Sequence, residues 1–171
     1  MKKITLIISM FTLCVGFSSS ALAQVSDFAV TSSTIVAPIS IVKDIDMNFG
    51  DIAVQGGVAG TVIMTPAGGL TPSAGITLPT STSSAAQFTV GGETGYTYSI
   101  TLPASVVLTD TVSATTMTVN AFNSTPTVAA GGTLTGGSET VFVGATLNVG
   151  ALQAAGVYSN ATDLVVTVNY N

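Results

Sequence analysis

The chain has 171 residues and no His, no Trp and no Arg, and charged residues make up only 6% of it. Without His there is no Ser-His-Asp triad and no imidazole metal site. The basic residues are Lys2, Lys3 and Lys43. So thin a positive charge gives no footprint for DNA or RNA, whose binding is dominated by phosphate neutralisation. The one cysteine is Cys14. Past it the chain has no disulfide, no thiol nucleophile and no thiolate site. These absences exclude most enzymes, and no cofactor is expected.

What the sequence does contain begins with a processed leader. Lys2 and Lys3 open a positive start, and an apolar run of about 14 residues follows, too short for the roughly 20 that a spanning helix needs. Ala21-Leu22-Ala23 supplies small residues at a cleavage site, so residues 1–23 read as a secretory signal peptide. Leu13 precedes Cys14 where a lipoprotein signal has a small residue. Cleavage after Ala23 leaves Lys43 alone against eight acids. No later apolar stretch is long enough to cross a bilayer as a helix, and export in a bacterium with two membranes is expected.

Beyond the leader Thr and Val dominate; both are β-branched and suit pleated strands. Gly pairs and six prolines separate short apolar runs, the pattern of an all-β sandwich or barrel. A period of two is clearest at four places. Ile45, Met47 and Phe49 alternate with Asp44, Asp46 and Asn48. Tyr96, Tyr98, Ile100 and Leu102 form a second set. Val141, Val143, Ala145, Leu147 and Val149 form a third, and Leu164, Val166, Val168 and Tyr170 a fourth. Weaker strands are expected at 61–65, 75–78, 87–90, 106–108 and 115–119. Residues 68–84 read as long loops around a short strand.

Three patterns invite chemistry. Asp44, Asp46, Asn48 and Asp51 have the spacing of a calcium loop, but Phe49 stands where such a loop needs Gly and Gln55 where it needs Glu. Their alternation with apolar residues fits a strand better. Asp44 and Asp46 would lie about 7 Å apart on a strand, within the span of a glycosidase pair; no Trp is present as a sugar platform and nothing singles out a raised-pKa acid. Gly91-Gly92-Glu93-Thr94-Gly95 is followed by a strand and not by the helix that a phosphate cradle needs, so a tight hairpin turn is expected there.

An ordered set of short patterns then carries a family resemblance. They are Pro38-Ile39-Ser40-Ile41, Met47-Asn48-Phe49-Gly50-Asp51-Ile52, Gly60-Thr61-Val62, Phe88-Thr89-Val90-Gly91-Gly92, and Tyr96-Thr97-Tyr98-Ser99-Ile100-Thr101-Leu102-Pro103. Met117-Thr118-Val119, Val143-Gly144-Ala145-Thr146-Leu147-Asn148-Val149, Gly156-Val157-Tyr158-Ser159 and Val166-Thr167-Val168-Asn169-Tyr170 complete the set. Over residues 37–171 the order resembles the domain of unknown function 4402 family of bacterial secreted proteins. That family is similar to spore-coat-U-like and archaic chaperone–usher fimbrial subunits. The resemblance implies an immunoglobulin-like β-sandwich, possible incompleteness of that sandwich, and a structural role without catalytic residues.

Chaperone–usher pilins end on a strand with a penultimate aromatic, lack the last sandwich strand and receive it by strand addition. Here Tyr170 is penultimate and Leu164, Val166 and Val168 keep its parity, so these four are the expected subunit and chaperone contact. The usual pilin disulfide is absent, and Gly156 stands two places before the position where the best-known pilins carry a Gly. Residues 24–36, with Phe28 and Val30 on one face, are either a donor strand or the domain's own first strand. The expected organisation is a signal peptide (1–23), this N-terminal segment (24–36) and a sandwich (37–171). The expected function is a surface-fibre subunit in adhesion or biofilm scaffolding. Its expected partners are copies of itself, a periplasmic chaperone and an outer-membrane usher, with no nucleic acid and no membrane span in the mature chain. The alternatives are a freestanding secreted binding module and a small outer-membrane β-barrel, for which the nine aromatics past residue 23 are few.

Overall fold

The computed structural model describes residues 24–55 and 57–171, so the expected leader lies outside the described residues. Residues 24–34 fall outside the second compact unit, Ile35–Asn171. They carry no strand, and Val25, Phe28 and Val30 among them are exposed.

Ile35–Asn171 is an antiparallel all-β sandwich. Its spine is a 12-residue strand, β11 (Ser138–Val149). Period-2 alternation puts Val141, Val143, Ala145, Leu147 and Val149 on one face, and all five are buried. The first half of one β11 edge pairs β6 (Ala86–Gly91), from Ser138 opposite Gly91 to Val143 opposite Ala86. The second half pairs β3 (Gly60–Met64), from Ala145 opposite Met64 to Val149 opposite Gly60. Gly144 is the seam between the two partners: a methyl group there would collide with the Met64 carbonyl oxygen and the Thr65–Pro66 backbone.

The opposite edge of β11 pairs β9 (Thr116–Thr125), which pairs β8 (Ser105–Asp110), which pairs β12 (Tyr158–Ser159). β1 (Ser40–Ile45) flanks β6, and β4 (Leu70–Pro72) flanks β3, completing an eight-stranded sheet. β9 carries a bulge. Gly144 faces Asn123 but Thr146 faces Asn120, so Ala121 and Phe122 together oppose Ala145. Ala121 takes a left-handed φ of 49° to achieve it. The bulge switches parity: Met117 and Val119 turn inward before it, Phe122 and Ser124 after it.

A smaller sheet orders β10 (Gly132–Thr133), β7 (Thr97–Thr101) and β13 (Thr167–Tyr170). Between β10 and β11 lies a single 3-10 turn, Thr135–Gly137. The small sheet covers one half of the large one. Tyr98, Ile100, Val166 and Val168 meet Phe88, Val90, Val141 and Val143 there, with Leu134 between them. A second cluster packs Phe49, Ile76, Val106 and Val119 with Val62, Met64, Leu147 and Val149. The two-stranded ribbon of β2 (Ala53–Val54) and β5 (Ile76–Thr77) supplies Ile76 to it. Each such side chain, fully buried, is worth about 1.5–3 kcal/mol.

Two local expectations are corrected. The Gly91–Gly95 stretch is not a hairpin, because β6 and β7 lie in different sheets. It is an inter-sheet corner in which the Gly92 amide donates to Gly137 O (3.0 Å) and the Gly95 amide to Leu134 O (2.8 Å). Alternation marks both strands but is blind to which sheet each joins. The strand expected through Asp44–Phe49 stops at Ile45, where the register with β6 slips, and Asn48 alone re-pairs, in a bridge to Ser84.

Candidate functional site

β13 is an edge strand. It pairs β7 on one side, with Thr167 opposite Thr101, Val168 opposite Ile100 and Tyr170 opposite Tyr98, and no described strand pairs its other side. The Asn171 amide donates to Thr97 O (3.2 Å), which fixes the phase of the ladder. Hydrogen-bonded and outward-facing residues alternate in an antiparallel pair. Thr167, Asn169 and Asn171 therefore turn their backbone groups to β7, while those of Val166, Val168 and Tyr170 face the open edge. Among the described residues no turn or side-chain hydrogen bond engages them.

Side chains of the same residues face inward. Val166 is 8% exposed and Val168 9%, against 58% for Val165. Leu164 and Tyr170 are half-buried, and Leu164 lies ahead of the strand and not within it. The four residues therefore share the inner face, with Leu164 reached through a turn. Asn160 builds that turn: its Oδ1 accepts the Thr162 and Asp163 amides, and its Nδ2 donates to Val107 O (2.9 Å) on β8. Hydrogen bonds from Thr162 and Asn160 hold the Asp163 carboxyl below the usual carboxylate range.

Among the described residues, three half-buried side chains, Met47, Phe122 and Leu164, pack against both core clusters. At that junction lies a cavity of about 390 Å3, lined by those three together with Phe49, Phe88 and Val106. Exposed Lys43, Ile45 and Asp46 line it as well, so it opens to the surface at the end of β1. Phe122 reaches it only because of the β9 bulge. That residue was not among the sequence-derived candidates; the parity switch from Met117 and Val119 to Phe122 is the signal that could have revealed it.

The far end of β13 is closed. The Tyr170 hydroxyl accepts the Glu93 amide (2.6 Å) and donates to Ala37 O (2.8 Å), while Glu93 Oε2 accepts the Ala37 amide (3.0 Å). Tyr96 meets the Tyr170 ring edge-on at 5.6 Å. Beneath this knot the buried Tyr98 hydroxyl donates to Glu139 Oε2 (2.9 Å), and burial together with that carboxylate pushes the phenol well above its ordinary value.

Phe28 and Val30, the candidate donor residues, are 95% and 96% exposed, on a segment without strand structure. The Asp44, Asp46, Asn48 and Asp51 pattern is dispersed. Asp44 accepts from Thr89 Oγ1 (2.7 Å), Asp46 pairs with Lys43 (2.5 Å), and Asn48 Oδ1 accepts the Gly50 amide (2.9 Å). Among the described residues no three His, Cys, Asp or Glu side chains gather around one point. A wider cleft of about 1040 Å3 runs between residues 46–54 and 153–160 over Leu108, Met117, Leu147 and Val149. One wall is fixed by a hydroxyl chain in which Asp110, Ser113, Thr115 and Tyr158 are linked in turn.

No curated protein and no solved structure matches the chain. Residues 39–170, which span β1 to β13, match the family model described as Domain of unknown function (DUF4402), and the chain belongs to that family.

Proposed function

We propose that the protein is an exported structural subunit that assembles with its own copies into a surface fibre. A periplasmic chaperone and an outer-membrane usher would serve as assembly partners, and no catalysis is assigned to it. The observation that carries this reading is the unpaired edge of β13, with Leu164, just ahead of that strand, lining the 390 Å3 cavity. An unpaired edge is a template for another strand. In β-strand addition, main-chain hydrogen bonds supply affinity and pockets for alternate side chains supply specificity. Residues 24–34 of a second molecule fit that role by composition: they hold Phe28 and Val30 in solvent, and apolar side chains so exposed gain from burial. The cleft over Met117 and Leu147 favours a second reading, a freestanding secreted binding module.

The test uses the absence of cysteine past residue 23. Chains beginning at Gln24 and carrying Phe28→Cys are mixed under oxidising conditions with chains carrying Leu164→Cys. Strand addition gives a disulfide-linked heterodimer that neither variant forms alone. Absence of the heterodimer at concentrations where the chain assembles counts against the proposal.

A further inference from the structure

β11 measures the length of the sandwich. Ser40, at the start of β1, faces Gly91 of β6, which faces Ser138, the first residue of β11. Val149, the last residue of β11, faces Gly60 at the start of β3. At about 3.3 Å per residue the two ends lie roughly 36 Å apart. The Tyr170 knot, with Ala37 and Glu93, is at the Ser138 end, and the chain enters the domain there. The turn after β8 and the loop between β11 and β12 are at the Val149 end, because Asn148 faces Thr118 and Thr109 faces Thr116.

This far end is apolar and open. Val112 (93% exposed), Leu152 (83%) and Val157 (80%) are the three most exposed large hydrophobic residues among those described from Ser40 onward, and all three are here. The buried Asp110 carboxylate accepts the Val112 and Val157 amides, which holds the two residues side by side. Leu152 stands at a left-handed φ of 55°, and Gly57 lies against its side chain, bringing exposed Val58 to the same end. Residues 111–115 and 150–157 contain no charge. The end is also reached from β13. Leu164 lines the cavity of about 390 Å3, that cavity shares Met47, Phe49 and Leu108 with the wider cleft, and Val157 lines the cleft. A strand laid along β13 therefore has an open way out past Leu164, whereas the other end is tied down by Tyr170.

We infer that this end seats the next copy of the chain, in contact with that copy's entry end, where Ile35 and Tyr96 are exposed. The inference rests on the fibre reading, and the chain's own geometry then selects the occupant. Residues 24–34 continue from Ile35, so a donor's body lies at whichever end of the acceptor its segment leaves. Departure at the Tyr170 end would bring two entry ends face to face. Each copy's segment would then reach the other, and the pair would close on itself. An open row needs contact between unlike ends, which sets the donor's body on Val112, Leu152 and Val157. Ile35, almost wholly in solvent, meets apolar side chains there, and no acid in the two loops must be desolvated. The loop tips are too small to hold two copies unaided. Strand addition supplies the tether, and the tips then act at high effective concentration.

The test is disulfide capture between chains beginning at Gln24, which keep every described residue and lack cysteine. Chains carrying Ile35→Cys are mixed with chains carrying Leu152→Cys in a glutathione buffer. The mixed dimer, linked between positions 35 and 152, should dominate over both symmetric dimers. Val112→Gln with Val157→Gln in the second chain should leave its melting temperature unchanged, since both side chains are in solvent. The pair should lower the mixed yield at least about tenfold. Val112→Cys takes the place of Leu152→Cys if the latter fails to fold by circular dichroism. A random mixture of the three dimers overturns the inference, as does a dominant dimer linked between two positions 35, which marks a closed pair. A mixed yield indifferent to Val112→Gln and Val157→Gln overturns it as well. Flotation with phosphatidylcholine vesicles, without the mixed dimer, also overturns it and assigns the end to a bilayer. Failure of the fibre reading is seen separately, as loss of the heterodimer between Phe28→Cys and Leu164→Cys chains; with that heterodimer present and the 35–152 link absent, the inference alone fails.

Discussion

The hydroxyl of Tyr170 donates to the main-chain carbonyl of Ala37 across 133 residues of sequence, at 2.8 Å. The same oxygen accepts the Glu93 amide, so the penultimate residue ties the entry of the domain to the corner between its sheets. The Tyr170 end of β13 is therefore tied down within the chain, while Leu164, ahead of its other end, lines the cavity.

Tyr170→Phe keeps the ring against Tyr96 and removes both hydrogen bonds. A loss of about 1–2 kcal/mol in urea unfolding is expected, with the Ala37 carbonyl and Glu93 amide left to find water. Tyr170→Ala should cost more, because the aromatic contact goes as well. Equal stability of Tyr170→Phe and the wild type would remove the knot from the account.

Val166→Asp and Val165→Asp are one position apart with opposite consequences. Val166 faces the core, and an uncompensated carboxylate there costs several kcal/mol. Val165 faces solvent, where a substitution is worth within about 0.5 kcal/mol. Thermal melts of the two purified variants decide it, and similar losses in both would contradict the assigned phase of β13.

Gly144→Ala tests the seam of the large sheet. Its methyl group would meet the Met64 carbonyl and the backbone at Thr65–Pro66, which cannot rotate away. Overpacking of this kind costs about 1–3 kcal/mol. Gly136→Ala is no control, since Gly136 has a φ of 71°. Ala145→Gly, which removes a methyl from the same strand without adding volume, separates overpacking from simple loss of packing.

Asp110 predicts an acid-sensitive turn. Hydrogen bonds from the Ser113 hydroxyl and amide hold its carboxyl below the ordinary range, with a smaller contribution from the Val112 amide. The folded state then binds this proton more weakly than the unfolded chain. Its stabilisation is fully present above about pH 4 and is lost as pH falls toward the lower folded value. The melting temperature should fall between pH 5 and pH 2, and Asp110→Asn should flatten part of that slope. An unchanged slope in the variant would show that other carboxylates carry it.

Much of this fold was legible as period-2 alternation. The five inward residues of β11 and the pair Tyr98 and Ile100 are read directly, because one face of each strand is buried and the other is not. Pairing was not legible. Residues 91–95 look like a hairpin, yet their flanking strands join different sheets, since alternation carries no record of the partner. The β9 strand was expected to end at Val119 and continues to Thr125, because the bulge at Ala121 and Phe122 breaks the period without ending the strand. For the candidate site, the shared parity of Leu164, Val166, Val168 and Tyr170 was visible. The cavity was not, since it arises where Met47, Phe122 and Leu164 meet from three distant parts of the sequence.

The central claim is strand addition by residues 24–34 at the edge of β13, and the most direct measurement is assembly of a chain altered only at its exposed segment. Phe28 and Val30 are almost wholly in solvent, so Phe28→Asp with Val30→Asp should leave the circular dichroism spectrum and melting temperature of the isolated subunit unchanged. Electron microscopy of the exported protein should then show fibres for the wild type and none for the variant. Fibres of normal length from the variant, or a wild type that stays a two-state monomer without a partner, would contradict the account.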